Sequence, residues 1–327
     1  MGKVLVTGAA GNIGSTLVRR LVERGEQVRV FLLPKTWHPF LDGLDIEKCY
    51  GDTTKEEDVL RAMDGCDQVY HLAGIVSYYR KDKKKIYAVN VGGTRNILLA
   101  AKKLKVLRVV VTASTSGIGV PTKKEWPLHE ESHFHERYHR FPYLDSKYQT
   151  IRLCEQFAKE GVPVVMVSPT TVYGAGDIAE HIGGLIRRIE NGILFVPPGG
   201  NAVVSVEDIV VGHILAMERG VVGENYIFAN EFYTCFEMQS IIARILKVDP
   251  PRFIFSMALK RFYIGWFWLV EMLFGKKATQ AWQAVALQCE HRYFDSTKAR
   301  RDLGWVPQVS FSQAIREAFD FYRKMKK

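Results

Sequence analysis

Long uninterrupted apolar runs are missing from this chain of 327 residues. A membrane-spanning helix needs about 20 apolar residues in succession. The most apolar stretch, 253–274, is broken by Lys260 and Arg261 and carries Glu271 near its end. Cysteine is scarce: Cys49, Cys66, Cys154, Cys235 and Cys289 are scattered, and none forms a Cys-x-x-Cys pair. That excludes a disulfide framework and fits reduced thiols. Internal repeats and low-complexity linkers are also absent. No leader pattern is visible, because Met1-Gly2-Lys3 runs straight into Val4-Leu5-Val6 and then glycines. A cytoplasmic location is therefore expected, with membrane association through 253–277 as its variant.

Hydrophobic residues make up 47% and charged residues 24%, the balance of an ordinary globular protein. Net charge is +10, which favours acidic partners such as nucleotides or anionic lipid. The densest basic run, Arg80 to Lys85, leads into a helical pattern and reads as its solvated start. It lacks the patterning of a nucleic-acid surface, so no nucleic-acid partner is expected.

Short apolar runs alternate with amphipathic stretches. Strands are predicted at Val4 to Thr7, Val28 to Leu33, Gln68 to Leu72, Arg108 to Thr112 and Val162 to Ser168. Helices are predicted at Ile13 to Arg24, Lys55 to Met63, Lys83 to Lys103 and Tyr143 to Glu160. Strands that alternate with helices and lack polar faces imply a buried parallel sheet. After Pro169 the pattern loosens. Helices at Glu207 to Arg219, Phe236 to Leu246 (closed off by Pro250-Pro251) and Phe311 to Lys324 follow, with a strand at Asn225 to Ala229. The fold class is α/β: a Rossmann-type doubly wound parallel sheet with a smaller C-terminal substrate-binding lobe. Residues 1–175, with returns near 201–230, form the dinucleotide-binding part, and 176–327 mainly the lobe.

Thr7-Gly8-Ala9-Ala10-Gly11-Asn12-Ile13-Gly14 lies between the first strand and the first helix. A diphosphate needs close backbone approach and the positive end of a helix, and glycines at a strand-turn-helix junction supply both. The acid that takes the ribose hydroxyls of NAD after the second strand is missing; the sequence there reads Phe31-Leu32-Leu33-Pro34-Lys35. Lys35 could instead meet a 2′-phosphate. The cofactor is NADP or NAD, with a lean to NADP.

Tyr143 and Lys147 stand four apart, on one face of a helix. A phenol titrates near pH ~10. A neighbouring ammonium and an oxidised nicotinamide ring would favour the phenolate. Tyr143 could then take a proton from an alcohol, or return it to an alkoxide. The spacing recurs at Tyr79/Lys83 and Tyr322/Lys326. Only Tyr143/Lys147 follows a strand ending in hydroxyls, Thr112-Ala113-Ser114-Thr115-Ser116, where open parallel sheets bind ligands. Ser114 is the candidate for the substrate oxygen, with Thr115 and Ser116 as competitors.

The motif set resembles the extended short-chain dehydrogenase/reductase family over nearly the whole chain. It comprises Thr7-Gly8-x-x-Gly11-x-x-Gly14, Gly51-Asp52, His71-Leu72-Ala73-Gly74, Asn90-Val91-x-Gly93-Thr94, Tyr143-x-x-x-Lys147, Pro169 to Gly174 and Ser205-Val206-Glu207-Asp208. Arg292 to Ala299 and Leu303-Gly304-Trp305 make it similar to the dihydroflavonol-reductase-like branch, which includes hopanoid-associated sugar epimerases and 3β-hydroxysteroid dehydrogenases. The resemblance implies that Ser114, Tyr143 and Lys147 are catalytic and that Asn90 braces the long helix and a relay water. It implies that Asp52 accepts from the adenine amino group, and that Ala73 and Gly74 line the adenosine side. It places Pro169, Thr171 and Val172 at the nicotinamide end and adds Thr53, Leu72 and Thr112 to the cofactor set. It also implies a homodimer through the helices carrying Asn90 and Tyr143.

His129, His133, His135 and His139 crowd the loop before Tyr143; a mobile loop is expected there and no metal. Phe253 to Phe274 leaves three readings open: a buried helix, the wall of an apolar substrate pocket, or an interfacial helix with Lys276-Lys277 at its edge. The leading function is hydride transfer between NAD(P) and a carbinol or ketone on a bulky, largely apolar small molecule, sterol-like or polyphenol-like. The alternatives are a nucleotide-sugar epimerase or dehydratase with tightly held cofactor, for which Arg187, Arg188 and Arg252 are the diphosphate candidates, and a non-catalytic dinucleotide-binding protein.

Overall fold

Valine and leucine runs without polar alternation cannot leave a face in water, and in the computed structural model they become the centre of a parallel sheet. The structure describes residues 2–36, 38–121, 126–176, 181–192, 194–275 and 281–325; Met1, Lys276, Lys277 and Lys326, singled out above, lie outside them. The chain opens with β1 (Lys3–Thr7), α1 (Asn12–Glu23), β2 (Val28–Leu32), β3 (Glu47–Tyr50), α2 (Glu56–Met63) and β4 (Cys66–His71). Next, α3 (Lys83–Tyr87) passes through a π-helical turn, Ala88–Gly93, into α4 (Thr94–Leu104). Then come β5 (Arg108–Thr112), α5 (Pro142–Lys159), β6 (Val164–Pro169), β7 (Thr171–Tyr173), α6 (His181–Glu190), β8 (Phe195–Val196), β9 (Gly200–Ser205), α7 (Val206–Arg219) and β10 (Asn225–Phe228). The chain continues with β11 (Glu231–Thr234), α8 (Cys235–Leu246), β12 (Phe253–Ile254), α9 (Lys260–Phe274), α10 (Trp282–Gln288), β13 (His291–Arg292), α11 (Thr297–Leu303) and α12 (Phe311–Met325).

Seven parallel strands form the main sheet in the order β10-β6-β5-β4-β1-β2-β3. Val59, Met63, Ile97, Leu98, Ile151 and Phe157 cover one face from α2, α4 and α5. Leu17, Leu21, Ile209 and Ile214 cover the other from α1 and α7. The strand order reverses between β1 and β4, and an open α/β sheet has its ligand crevice at such a switch. The strand at the far edge, β3 (Glu-Lys-Cys-Tyr), was not expected: it is largely exposed and has no apolar period to read.

The second lobe is a sheet of β11, β9, β13 and β7, packed on α6, α8 and α12 through Ile186, Ile242, Phe311 and Ile315. The Ser205 hydroxyl caps α7 by accepting from the Asp208 amide. The Asp208 carboxylate accepts from the amides of Gln308 and Val309, and its carbonyl accepts from the Trp305 indole at 2.9 Å. The Ser205-to-Asp208 and Trp305 motifs are thereby one structural joint. Lys247, at φ +59°, ends α8, ahead of the prolines expected to stop it.

The reading of 253–274 as a buried helix is overturned, because α9 carries no buried residue. Tyr263 and Phe267 turn inward to line the central cleft, whereas Phe262 is 78% and Trp266 63% exposed. No helix among the described residues is long and apolar enough to cross a membrane.

Candidate active site

Gly8 adopts φ +68°, and a Cβ there would meet the Leu72–Ala73 backbone at 2.6 Å. A Cβ on Gly14 would sit 2.2 Å from the Gly8 carbonyl oxygen. Only glycine lets this loop close onto the start of α1. That helix has no side-chain cap, so its first N–H groups face the cleft without a partner from the Gly11 cap. The Asn12 amide oxygen is buried there and unbonded. This cradle of glycine backbone and open helix N-terminus fits a dinucleotide diphosphate.

The loop opens into a cleft of about 940 Å³. Of the expected site residues, Gly8, Gly11, Asn12, Ile13, Gly14, Leu72, Gly74, Thr112, Ser114, Tyr143, Lys147, Pro169, Thr171 and Val172 line it together. Thr7, Ala73 and Asn90 stand behind the lining. The Thr7 hydroxyl bonds His71 Nδ1 at 2.8 Å and accepts from the Ala73 amide, bracing the loop from beneath. Burial, reinforced by Lys147, pushes His71 down to about 3, so this imidazole stays neutral. Asn90, in the π-helical turn, accepts from the Ile75 amide at 2.8 Å and donates to the Ile75 carbonyl and the Ser146 hydroxyl. It clamps the loop after β4 to α5.

Lys35 and Asp52 lie beyond the cleft lining, each just past the end of a strand. Register places Phe31 opposite Thr7 and Tyr50 opposite Leu32, so both residues follow strand ends level with the glycine loop. Lys35 has φ +61°. Asp52 accepts from the Thr54 amide, and buried Thr53 packs against Gly93.

Pro142 starts α5 in its first turn and sets Tyr143 and Lys147 one turn apart at the cleft wall. Tyr143 is 6% exposed and lines the cleft with Ser114, whose hydroxyl is close enough to lower the phenol's pKa. The competing hydroxyls differ: Thr115 donates to the Pro169 carbonyl, and Ser116 offers its amide to Ser114 Oγ. Lys147 Nζ donates to the Thr112 carbonyl at 3.0 Å, and burial lowers its pKa to about 8. The expected acidification of the phenol by this ammonium is not present. Burial, then Tyr78, push Tyr143 above the usual tyrosine range, while Ser114 and Arg292 pull it back. Tyr78 and Arg292 both line the cleft and were not among the expected site residues: Tyr78 carries no motif, and Arg292 reads only as the start of a branch motif.

Of the arginines weighed for a sugar diphosphate, Arg188 lines the cleft, while Arg252 is exposed and pairs with Asp249. Among the described residues no group of three or more His, Cys, Asp or Glu side chains could hold a metal. His139 instead contacts the buried Asp145 carboxylate, which also takes the Tyr87 hydroxyl.

A family model described as the NAD dependent epimerase/dehydratase family matches residues 4–229. Sterol demethylase protein B of Methylococcus capsulatus is 29% identical, over 98% of this chain and 98% of its own. A 3-beta-hydroxysteroid dehydrogenase of Mycolicibacterium neoaurum is 27% identical, over 98% of this chain and 92% of its own. Among solved structures, UDP-glucuronic acid 4-epimerase from Bacillus cereus in complex with NAD superposes with a TM-score of 0.78 at 20% identity, covering 99% of this chain and 100% of that one. That likeness speaks for the fold. The glycine cradle, the parallel sheet and the family match converge: the chain belongs to the NAD dependent epimerase/dehydratase family and is an extended short-chain dehydrogenase/reductase.

Proposed function

We propose that this protein transfers hydride between a nicotinamide cofactor and a secondary alcohol or ketone of a bulky, largely apolar small molecule. The observation that carries this is the placing of Ser114, at the carboxyl end of β5, beside Tyr143 and Lys147 in the cleft the glycine loop opens. The bound nicotinamide supplies the hydride acceptor or donor. Ser114 Oγ orients the reacting oxygen. The Tyr143 phenol takes the hydroxyl proton on oxidation and returns it on reduction. Lys147 holds a positive charge beside that exchange from its anchor on Thr112. Asn90 is a positioning residue that fixes the 74–75 loop. Leu185, Phe195, Met238, Tyr263 and Phe267 give the substrate end its apolar character, and the relatives named for sterol substrates support that polarity.

The cofactor is read as NADP, because Lys35 stands where an acid would exclude a 2′-phosphate. Residues 1–175 with 201–230 hold the dinucleotide and the rest mainly the substrate. Two copies pair through the helical segments carrying Asn90 and Tyr143. The five free cysteines support a reducing, cytoplasmic compartment. The outer face of α9 rests on an anionic membrane surface: Phe262, Trp266, Met272 and Leu273 are exposed there, and Arg80, Lys81, Lys83 and Arg140 line a hollow beside Trp268.

Cofactor absorbance across a panel of sterol-like, polyphenol-like and sugar-nucleotide substrates tests the reaction. Tyr143→Phe should lose ~100-fold or more in kcat with cofactor affinity kept. Undiminished turnover in that variant overturns the assignment, and stoichiometric cofactor retained through purification with sugar-nucleotide turnover favours epimerisation instead.

A further inference from the structure

The short strand β13 pairs with β9, His291 opposite Gly200 and Arg292 opposite Asn201. Alternation along a strand sends neighbours to opposite sides. His291 is exposed, and Arg292 enters the substrate end of the cleft. There its guanidinium lies close enough to the Tyr78 phenol to pull that group's pKa down against the effect of burial. Tyr78 packs edge-on against Tyr143 with ring centroids 5.3 Å apart, so the cation lies one aromatic ring from the reacting centre.

Among the described residues no carboxylate pairs with Arg292. Glu290, two residues earlier, is held by Lys260 at 2.7 Å. The Arg292 Nε, a donor, is buried and bonded to nothing, and Gln239, from α8 on the same cleft, has a buried, unbonded Oε1, an acceptor that suits a substrate hydroxyl and not the anion. Buried polar groups left unpaired cost free energy that a matched ligand recovers. The walls around them are apolar, which strengthens any charge pairing made there. A guanidinium offers donors in a fork that fits a carboxylate.

We infer that Arg292 binds a carboxylate, or an equivalent planar oxyanion, that the substrate carries close to its reacting carbon. The substrate class is then an acid with an apolar body, such as a 3-hydroxy or 3-oxo acid bearing a long chain or a ring. This rests on the hydride-transfer reading only for the position of the reacting carbon.

The test is calorimetric titration of the full chain, saturated with oxidised cofactor, with 3-hydroxydodecanoate and with its methyl ester. The two probes differ chiefly in charge. The acid should bind about tenfold or more tightly than the ester. Arg292→Gln should erase that preference by weakening the acid, and Arg292→Lys should restore part of it. Cofactor titration of each variant reports an intact fold. Equal affinity for acid and ester in the wild type, loss of both probes alike in Arg292→Gln, or no binding of either probe overturns the inference. An acid preference that depends on Arg292, without turnover of either probe, upholds the anion site and counts against the hydride-transfer reading alone.

Discussion

Lys147 Nζ donates to the carbonyl oxygen of Thr112 at 3.0 Å, one helical turn from Tyr143. The bond ties α5 to the end of β5 and holds an ammonium in a buried wall. Burial lowers that ammonium from 10.5 to about 8, and the phenol is raised. The side chain is therefore kept at a cost to the fold, and that cost should be measurable.

Below pH ~8 both folded and unfolded chains carry Lys147 protonated, and the folded state bears the full cost of burying it. Between about 8 and 10.5 the folded state sheds the proton first, so stability rises with pH across that window. Lys147→Met should be more stable than the parent by about 2 kcal/mol at pH 7, after allowing for the lost bond to Thr112. The advantage should shrink by pH 9.5. Urea unfolding at the two pH values checks this; a methionine variant that is weaker at pH 7 shows that the ammonium is not a burden.

The glycine loop gives a sharper contrast. In Gly14→Ala the new methyl would press on the backbone oxygen of Gly8 at 2.2 Å, and no side chain can move aside. Cofactor affinity should fall by about tenfold or more. Gly184 has open space around its Cβ position, and Gly184→Ala should leave affinity unchanged. Cofactor titration of the two variants decides it, with circular dichroism confirming that each is folded. Equal affinities would mean that the loop does not hold the diphosphate.

The proposed preference for NADP rests on Lys35. With Lys35→Asp the 2′-phosphate would face a carboxylate, while NAD would gain a hydrogen-bond acceptor for its ribose. The ratio of kcat/KM for NADP over NAD should fall by about tenfold or more. An unchanged ratio would remove Lys35 from the cofactor site.

The sequence pattern located six of the seven strands of the main sheet, α1, α5 and α7 to within a few residues, because buried strands and amphipathic helices must show their periods. It missed β3, whose residues Glu47 and Lys48 face water and so carry no apolar signal. It placed the glycines and Tyr143 at the cleft, because backbone approach and proton transfer demand particular residue types. Thr7, expected to contact the cofactor, stands beneath the loop as a brace, since a buried hydroxyl and a contacting one look identical along a sequence. Arg292 was legible only as the start of a motif: its place in the cleft comes from β13 pairing with β9, about 90 residues away in the chain.

The outer face of α9 supports the last prediction. Its inner residues, Tyr263 and Phe267, wall the cleft, so a surface that takes up α9 from outside lies next to the substrate entrance. Burying an exposed phenylalanine or tryptophan side chain contributes about 1.5–3 kcal/mol, enough for several together to hold a protein at an interface. The neighbouring cations Arg80, Lys81, Lys83 and Arg140 would add attraction for anionic headgroups that salt weakens. The full chain should therefore float with vesicles containing phosphatidylglycerol, and less with neutral phosphatidylcholine vesicles or in high salt. Replacing Phe262 and Trp266 together by serine should cut vesicle binding about tenfold or more while leaving cofactor affinity intact, since neither residue lines the cleft. Sedimentation of the same variant separates the competing occupant. If the wild type ignores vesicles and the double replacement instead dissolves a dimer, the aromatic face belongs to a second copy of the chain and not to lipid.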